Sequence, residues 1–319
     1  MNNFKKIGLS ALAGSLIAVS AHAGSMSVTG SASLTFSNTD DESLTDEGNG
    51  WTMGDSLTFA GSGEMDNGMT IAVSYELDGD AADTGSEFDD HSMTLSSDAM
   101  GSITFAGHGG DGALSAIDDK TPNAMEESWD VVASAETPPG GVSGENMFLY
   151  TSPTMSGVTL TAGYLNASDT VTDVSYMDFA IKVEPEMVEG LTIGYGFGEL
   201  EPNTSQSIDN ETLFLKYAIG GLTVGVQSSE ADGPTAALTD ESDGWGVSYA
   251  VNENFTIAYG ERDYDDNTAT AGSSSSEQQD SGISASYTMG GMTIAGHMNE
   301  NNNVSGSTNA TMDLSLIHI

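Results

Sequence analysis

The sequence predicts an all-β fold, a transmembrane antiparallel up-and-down β-barrel of about 16 strands, with long external loops at one rim and short periplasmic turns at the other. Three observations predict it. Segment after segment alternates apolar with small or polar residues at period two, which gives a strand two unlike faces. One turn-plus-strand phrase recurs along the chain at the spacing of a hairpin. The connections between predicted strands alternate short and long.

The phrase is plainest at Asp66–Leu77, where Asn67-Gly68 is a tight-turn signal and Ile71, Val73, Tyr75 and Leu77 then alternate with Thr70, Ala72, Ser74 and Glu76. It returns at Ala99–Phe105, Met155–Thr161, Glu189–Ile193, Gly220–Val224 and Gly290–Ile294, and without glycine at Glu253–Ile257. The first strand, about Ser25 to Ser37, sets Met26, Val28, Gly30, Ala32, Leu34 and Phe36 against Ser27, Thr29, Ser31, Ser33, Thr35 and Ser37. A polar face of hydroxyls with few charges suits the lining of a wide, wet interior. Short turns fall near Asn67, Met100, Gly157, Gly190, Gly220, Asn254 and Gly290, and acidic loops fall between; the longest irregular stretch runs from about Gly109 to Gly144. Strands of about ten residues suit a tilted crossing of hydrocarbon, where every backbone group must be bonded and the sheet must close on itself.

The ends carry processing signals. Lys5 and Lys6, the apolar run Ile7–Val19 and the small-residue site Ala21-His22-Ala23 read as a secretory signal over residues 1–23, with the mature chain from Gly24. Residues 24–313 are read as the barrel. Residues 314–319, Leu-Ser-Leu-Ile-His-Ile, look like the translation of a sequencing adapter and are set aside, which leaves a last strand beginning near Ser307 cut short. There is no cysteine, and so no disulfide or thiolate metal site. The whole chain carries a formal charge of −42; without the signal, 4 basic side chains face 48 acidic ones, or −44. Such a chain repels nucleic acid.

Together the signal, the hairpin repeat, a strand count near sixteen and a long third external loop resemble the general porins of Gram-negative bacteria, and the composition looks most like those of marine bacteria. The resemblance covers the mature chain. It implies a homotrimer of water-filled barrels in the outer membrane, each narrowed by the third loop; the expectation that follows is passive passage of small hydrophilic solutes and cations, with no cofactor. The chain departs from the family's pattern in two ways: the terminal strand with its aromatic end is absent, and the loop has no Pro-Glu-Phe-Gly signature.

Candidate pore residues follow from parity. Lys182, Lys216 and Arg262 share faces with Asp178, Thr212 and Ala258, opposite Phe179, Leu213 and Ile257, so three of the four mature basic residues point inward, and Lys120 lies in the long loop. Two readings stand side by side: a basic wall across from an acidic loop, or ordinary solvated charge. The loop supplies Asp111, Asp118, Asp119, Glu126, Glu127 and Asp130, and Glu64 and Glu76 point inward; such carboxylates favour cations. Eight tyrosines and Trp245 on apolar faces read as interfacial girdles. Asp263–Asn267 reads as a solvated loop and lacks the closing Glu of a calcium loop. His91, His108 and His297 are far apart in sequence, the latter two inward, and nothing marks a nucleophile among the serines. The glycine-rich stretches Gly107–Gly112 and Gly194–Gly198 lack the strand-turn-helix setting of a phosphate loop. A substrate-specific channel and a secreted acidic β-rich surface protein remain the alternative functions.

Overall fold

The computed structural model describes residues 25–41, 49–78, 88–129, 140–166, 174–202, 207–233, 239–266, 277–303 and 311–318; the predicted signal lies outside them. The chain opens with β1 (Ser25–Asp41), β2 (Asn49–Glu64), β3 (Thr70–Asp78), β4 (His91–Ser97) and β5 (Gly101–His108). The long third loop follows, containing the two-residue ribbon β6 (Gly110–Asp111) and β7 (Ser143–Gly144) and a 3-10 turn at Leu114–Ala116. Then come β8 (Met147–Thr151), β9 (Val158–Leu165), β10 (Val174–Val183), β11 (Leu191–Pro202), β12 (Ile208–Ile219), β13 (Leu222–Asp232), β14 (Asp240–Asn252), β15 (Phe255–Asp266), β16 (Gln278–Met289), β17 (Met292–Asn302) and β18 (Thr311–His318). β1 to β5 and β8 to β18 pair antiparallel with their sequence neighbours, and β18 pairs with both β17 and β1, so the sixteen strands close. Residues 314–318, set aside by the sequence reading, lie in the closing strand, of which Thr311–His318 are described; the expected start near Ser307 lies outside the described residues.

The turns explain the repeating phrase. Gly157 and Gly190 have φ of 78° and 83°, where side chains are strained, and they also sit under a carbonyl of the next hairpin. A Cβ there would lie 2.1 Å from the Glu184 carbonyl oxygen and 2.0 Å from that of Ala218. At the glycine-free turn the Asn254 N–H instead donates to Asn252 Oδ1 at 2.9 Å, and the β14–β15 register shifts beside it.

Burial runs inside out. On β12 Asn210, Thr212 and Phe214 are buried while Leu213 and Leu215 are exposed; on β13 Gly225, Gln227 and Ser229 are buried while Val224 and Val226 are exposed. A continuous apolar outer surface of this kind is stable only against lipid. The expected aromatics lie on that surface: Tyr150, Tyr249 and Tyr287 towards the short turns, Tyr195 on the short-turn half of β11, and Tyr164, Tyr259 and Trp245 farther along their strands. The Tyr150 hydroxyl donates to the Met100 carbonyl, and Trp245 Nε1 donates to Glu261 Oε2. Beyond the upper girdle the outer face turns acidic. Glu211, Glu230, Glu241 and Asp265 stand in one cross-strand row from β12 to β15, and Glu199, Asp209 and Asp232 in the next. Asp263–Asp266, expected as loop, completes β15, with Tyr264 inward and buried.

Candidate functional site

The lumen is divided between two kinds of wall. Ser, Thr, Gly and Ala dominate the inward positions of β1 to β5, where hydroxyls meet across strands, as in Ser31–Ser56 (3.0 Å) and Thr94–Thr104 (2.8 Å). No Lys or Arg occurs anywhere between Gly24 and His108. The opposite wall, β9 to β17, alternates glycines and small residues with a few large groups, and it receives the third loop.

The loop enters after β5 and crosses the bore along that second wall. Ala113, Leu114 and Ile117 pack on Ala180 of β10 and Phe214 of β12, forming an apolar cluster inside the barrel. The Leu114 N–H donates to Asp178 Oδ2 at 2.8 Å, and the Tyr176 hydroxyl donates to the same oxygen. Further along, the Lys120 N–H donates to Gln227 Oε1 of β13 and the Ala124 N–H to Ser284 Oγ of β16. Asn299 Nδ2 of β17 donates to the Ser128 carbonyl at 2.9 Å. Glycines on the wall make the room. A Cβ at Gly196 would meet Leu114 at 2.6 Å, and one at Gly225 or Gly246 would meet Pro122 at 2.7 or 2.6 Å. The sequence reading missed this trough, although its signal was present: Gly163, Gly196, Gly225, Gly246 and Gly282 all have inward parity.

The predicted pore residues separate into groups. Asp119 and Glu126 are exposed on the loop, Asp119 at the edge of the recess that Lys120 and Lys216 line and Glu126 beside Ser284 and Asn299. Asp118 is half-buried between the loop's two arms, where it accepts the Gly141 N–H at 3.2 Å. Its burial, with the Asp119 charge adding, raises its pKa to about 6. Burial also raises Asp119, against the pull of Lys120 and Arg262. Glu127 is buried against the wall side, with Thr121 Oγ1 donating to it at 3.4 Å. Asp130 lies outside the described residues.

Lys182 and Lys216 are on the wall that the loop covers. Lys182 sits at the short-turn end of β10, paired with Glu184 at 3.4 Å. Lys216 and Lys120 line a recess of about 460 Å³ beneath the loop with Thr192, Thr223, Ser248, Asp119 and Glu127. Arg262 is fully buried in an ion pair with Asp280. A basic wall across from an acidic loop is thus not what the topology builds, because loop and basic residues occupy the same half of the barrel. Glu64 stands at the last pair before a short turn, in a mouth recess of about 810 Å³, and Glu76 is near the other end of β3; neither is at the loop. The histidines are not all apart: His91 and His108 are partners across β4–β5, and His108 lies 3.6 Å from Asp90 and 3.8 Å from Glu145.

A closed sheet with an apolar outside, a polar inside and a loop laid across its bore defines a β-barrel channel of the outer membrane. Residues 8–306 match the sequence model of the Gram-negative porins, and the chain belongs to that family. A porin refined at 1.8 Å superposes with a TM-score of 0.63 at 16% identity, covering 91% of this chain and 99% of that one. The anion-selective porin of Comamonas acidovorans gives 0.62 at 13%, covering 92% and 98%. OmpT of Vibrio cholerae, in a form lacking loop L8, gives 0.61 at 12%, covering 92% and 98%. At these identities the likeness shows the fold. No curated protein matches the sequence.

Proposed function

We propose that this chain is a trimeric general-diffusion porin that passes small hydrophilic solutes and ions, prefers cations, and carries out no reaction. One observation carries the reading: Asp119 and Glu126 are exposed carboxylates on a loop laid across the bore, and β1 to β5, which complete the lumen, bring no basic residue to it. Of the four basic residues after the signal, Arg262 is neutralised by Asp280, Lys182 pairs with Glu184, and Lys216 and Lys120 line the recess beneath the loop, Lys120 Nζ donating to the Asp119 carbonyl at 2.9 Å. Carboxylates at a narrow, low-dielectric passage raise the local cation concentration and exclude anions. Size exclusion does the rest.

Reversal potential across a planar bilayer in a salt gradient tests the selectivity. A cation-selective potential is expected, shifting towards zero in the double variant Asp119→Asn, Glu126→Gln. Anion preference in the wild type would refute it. Conductance that saturates with one solute would favour a substrate-specific channel. Cross-linking of detergent-extracted protein to a species of three chains is expected, and a monomer only would remove the trimer from the proposal.

A further inference from the structure

Arg262 is one of four basic residues in the mature chain, points into the barrel, and has no contact with the bore. Its guanidinium is spent on structure. Nε donates to Asp280 Oδ2 at 2.8 Å and Nη2 donates to the same oxygen. Asp280 Oδ1 accepts from Gln278 Nε2 at 3.0 Å and from Asn301 Nδ2 at 2.6 Å, so β15, β16 and β17 converge on one carboxylate. The planar cation stacks between two rings: its Cζ lies 5.1 Å from the Trp129 centroid and 5.2 Å from that of Tyr264. Tyr264 belongs to the wall, but Trp129 belongs to the third loop. A flat, weakly hydrated guanidinium suits such stacking, which an ammonium does less well.

We propose that Arg262 is a positioning residue that pins the far end of the eyelet loop, and so sets the width of the channel without lining it. This rests on the porin reading above. The loop leaves the wall at β5 and returns at β8; its first arm is held by Leu114 on β10 to β12, and Trp129 lies beyond β14, across the bore. Glu126 of the eyelet stands three residues before Trp129, so its position follows that of the ring. The wall is shaped for this contact. A Cβ at Gly244 would sit 3.2 Å from the Trp129 ring, and one at Gly282 would sit 3.1 Å from the Ser128 Cβ. An isolated charge at the same place would be costly to bury, and Asp280 supplies its counter-charge.

The test uses Trp129→Leu, which leaves every charge in place, and the double variant Arg262→Met, Asp280→Asn, which leaves no orphan charge. Folded barrels are verified by heat-dependent gel migration. Both variants are expected to show severalfold faster liposome swelling with neutral sugars near the exclusion limit, and increased open-channel noise. Adding Ser128→Cys and Gly282→Cys to Trp129→Leu, with Asn299→Ala to clear the amide oxygen that a Cβ at Gly282 would meet at 1.9 Å, supplies the chain's only cysteines, with Cβ positions close to disulfide span; oxidation is expected to restore the wild-type limit. Unchanged swelling and noise in both variants would overturn the proposal, as would a change confined to reversal potential in the arginine variant. If the wild type forms no channel, the porin reading fails, and the pin is read from the rate of disulfide formation. That rate is expected to be fast with Trp129 present and severalfold slower without it; equal rates would remove the pin too.

Discussion

Truncating Leu114 to Ala should loosen the eyelet loop without weakening the barrel. Leu114 is wholly buried, against Ala180 and Phe214, in the space left by Gly196. Leu-to-Ala changes at such sites cost about 2–5 kcal/mol in lost transfer energy and cavity. That burial exists only while the loop is docked. The β10–β12 ladders do not depend on it, so the loss falls on the docking equilibrium. At about 1.4 kcal/mol per tenfold, the undocked fraction rises by roughly 30-fold to several thousand-fold. The Leu114 N–H to Asp178 bond survives truncation, which favours the lower end of the range. Single-channel recording should show frequent sojourns at higher conductance, and swelling assays should show entry of larger sugars. Leu213→Ala, the same chemical change on the lipid face, is the control and should leave permeation alone. Identical traces from Leu114→Ala and wild type would refute the assignment of the loop's hold to this side chain.

Two further outcomes follow from the charges. With Asp118 raised to about 6, the loop loses a negative charge beside Asp119 as pH falls through that value, so cation preference should decline there and the step should vanish in Asp118→Asn. The docked pKa lies above the free value of 3.8, so the docked loop binds the proton more tightly; docking is therefore favoured on the acid side and open-channel noise should fall between pH 6 and 4. On the outer face, Glu230 stands opposite Glu211 and Glu241. Like charges in direct cross-strand contact cost a few tenths to about 1 kcal/mol, so Glu230→Gln should raise the melting temperature at low salt. At about 1 M salt, where the screening length is roughly 3 Å, the gain should disappear, and a gain that persists would point to packing instead.

Strand faces were legible because period two is a local property: the parity of Phe179 against Asp178, or of Leu213 against Phe214, needs no partner. The short turns were legible for the same reason, each carrying its own glycine or asparagine. What parity could not supply was register. Arg262 was correctly placed inward, but its neutralisation depends on Asp280 lying directly opposite across a long loop. The inward fold of the third loop was inferred from length alone, since its seat is assembled from strands spread between β9 and β17. The outer acidic rows were readable, with Glu199 and Glu201 continuing the parity of Tyr195 and Phe197, yet acids had been assigned only to loops and lumen. Residues 314–319 are set aside in the sequence because they look like a translated adapter, and the ladders that pair 314–318 with β1 and β17 are backbone contacts that a reading of side chains does not see.

The seat of the loop is written into the wall, and a substitution there should have the opposite sign from one in the loop's anchors. Glycine weakens a strand and packs nothing, so its use at Gly225 and Gly246 needs a local reason. The reason is Pro122, whose carbonyl oxygen and ring would lie 2.6 Å and 3.2 Å from a Cβ at Gly246. The oxygen is backbone and cannot swing aside. Leu114 and Trp129 hold the loop on either side of Pro122, so in Gly246→Ala the middle of the loop must bow into the bore by roughly 1 Å to regain ordinary contact. The eyelet then narrows: swelling with sugars near the exclusion limit should slow, and conductance should drop, while Leu114→Ala widens it. In the double variant the loop, freed at one end, should accommodate the methyl group by rotating away, and the narrowing should be lost. Were Gly246→Ala to widen the channel, or leave it unchanged, the glycine trough would not be what positions the loop.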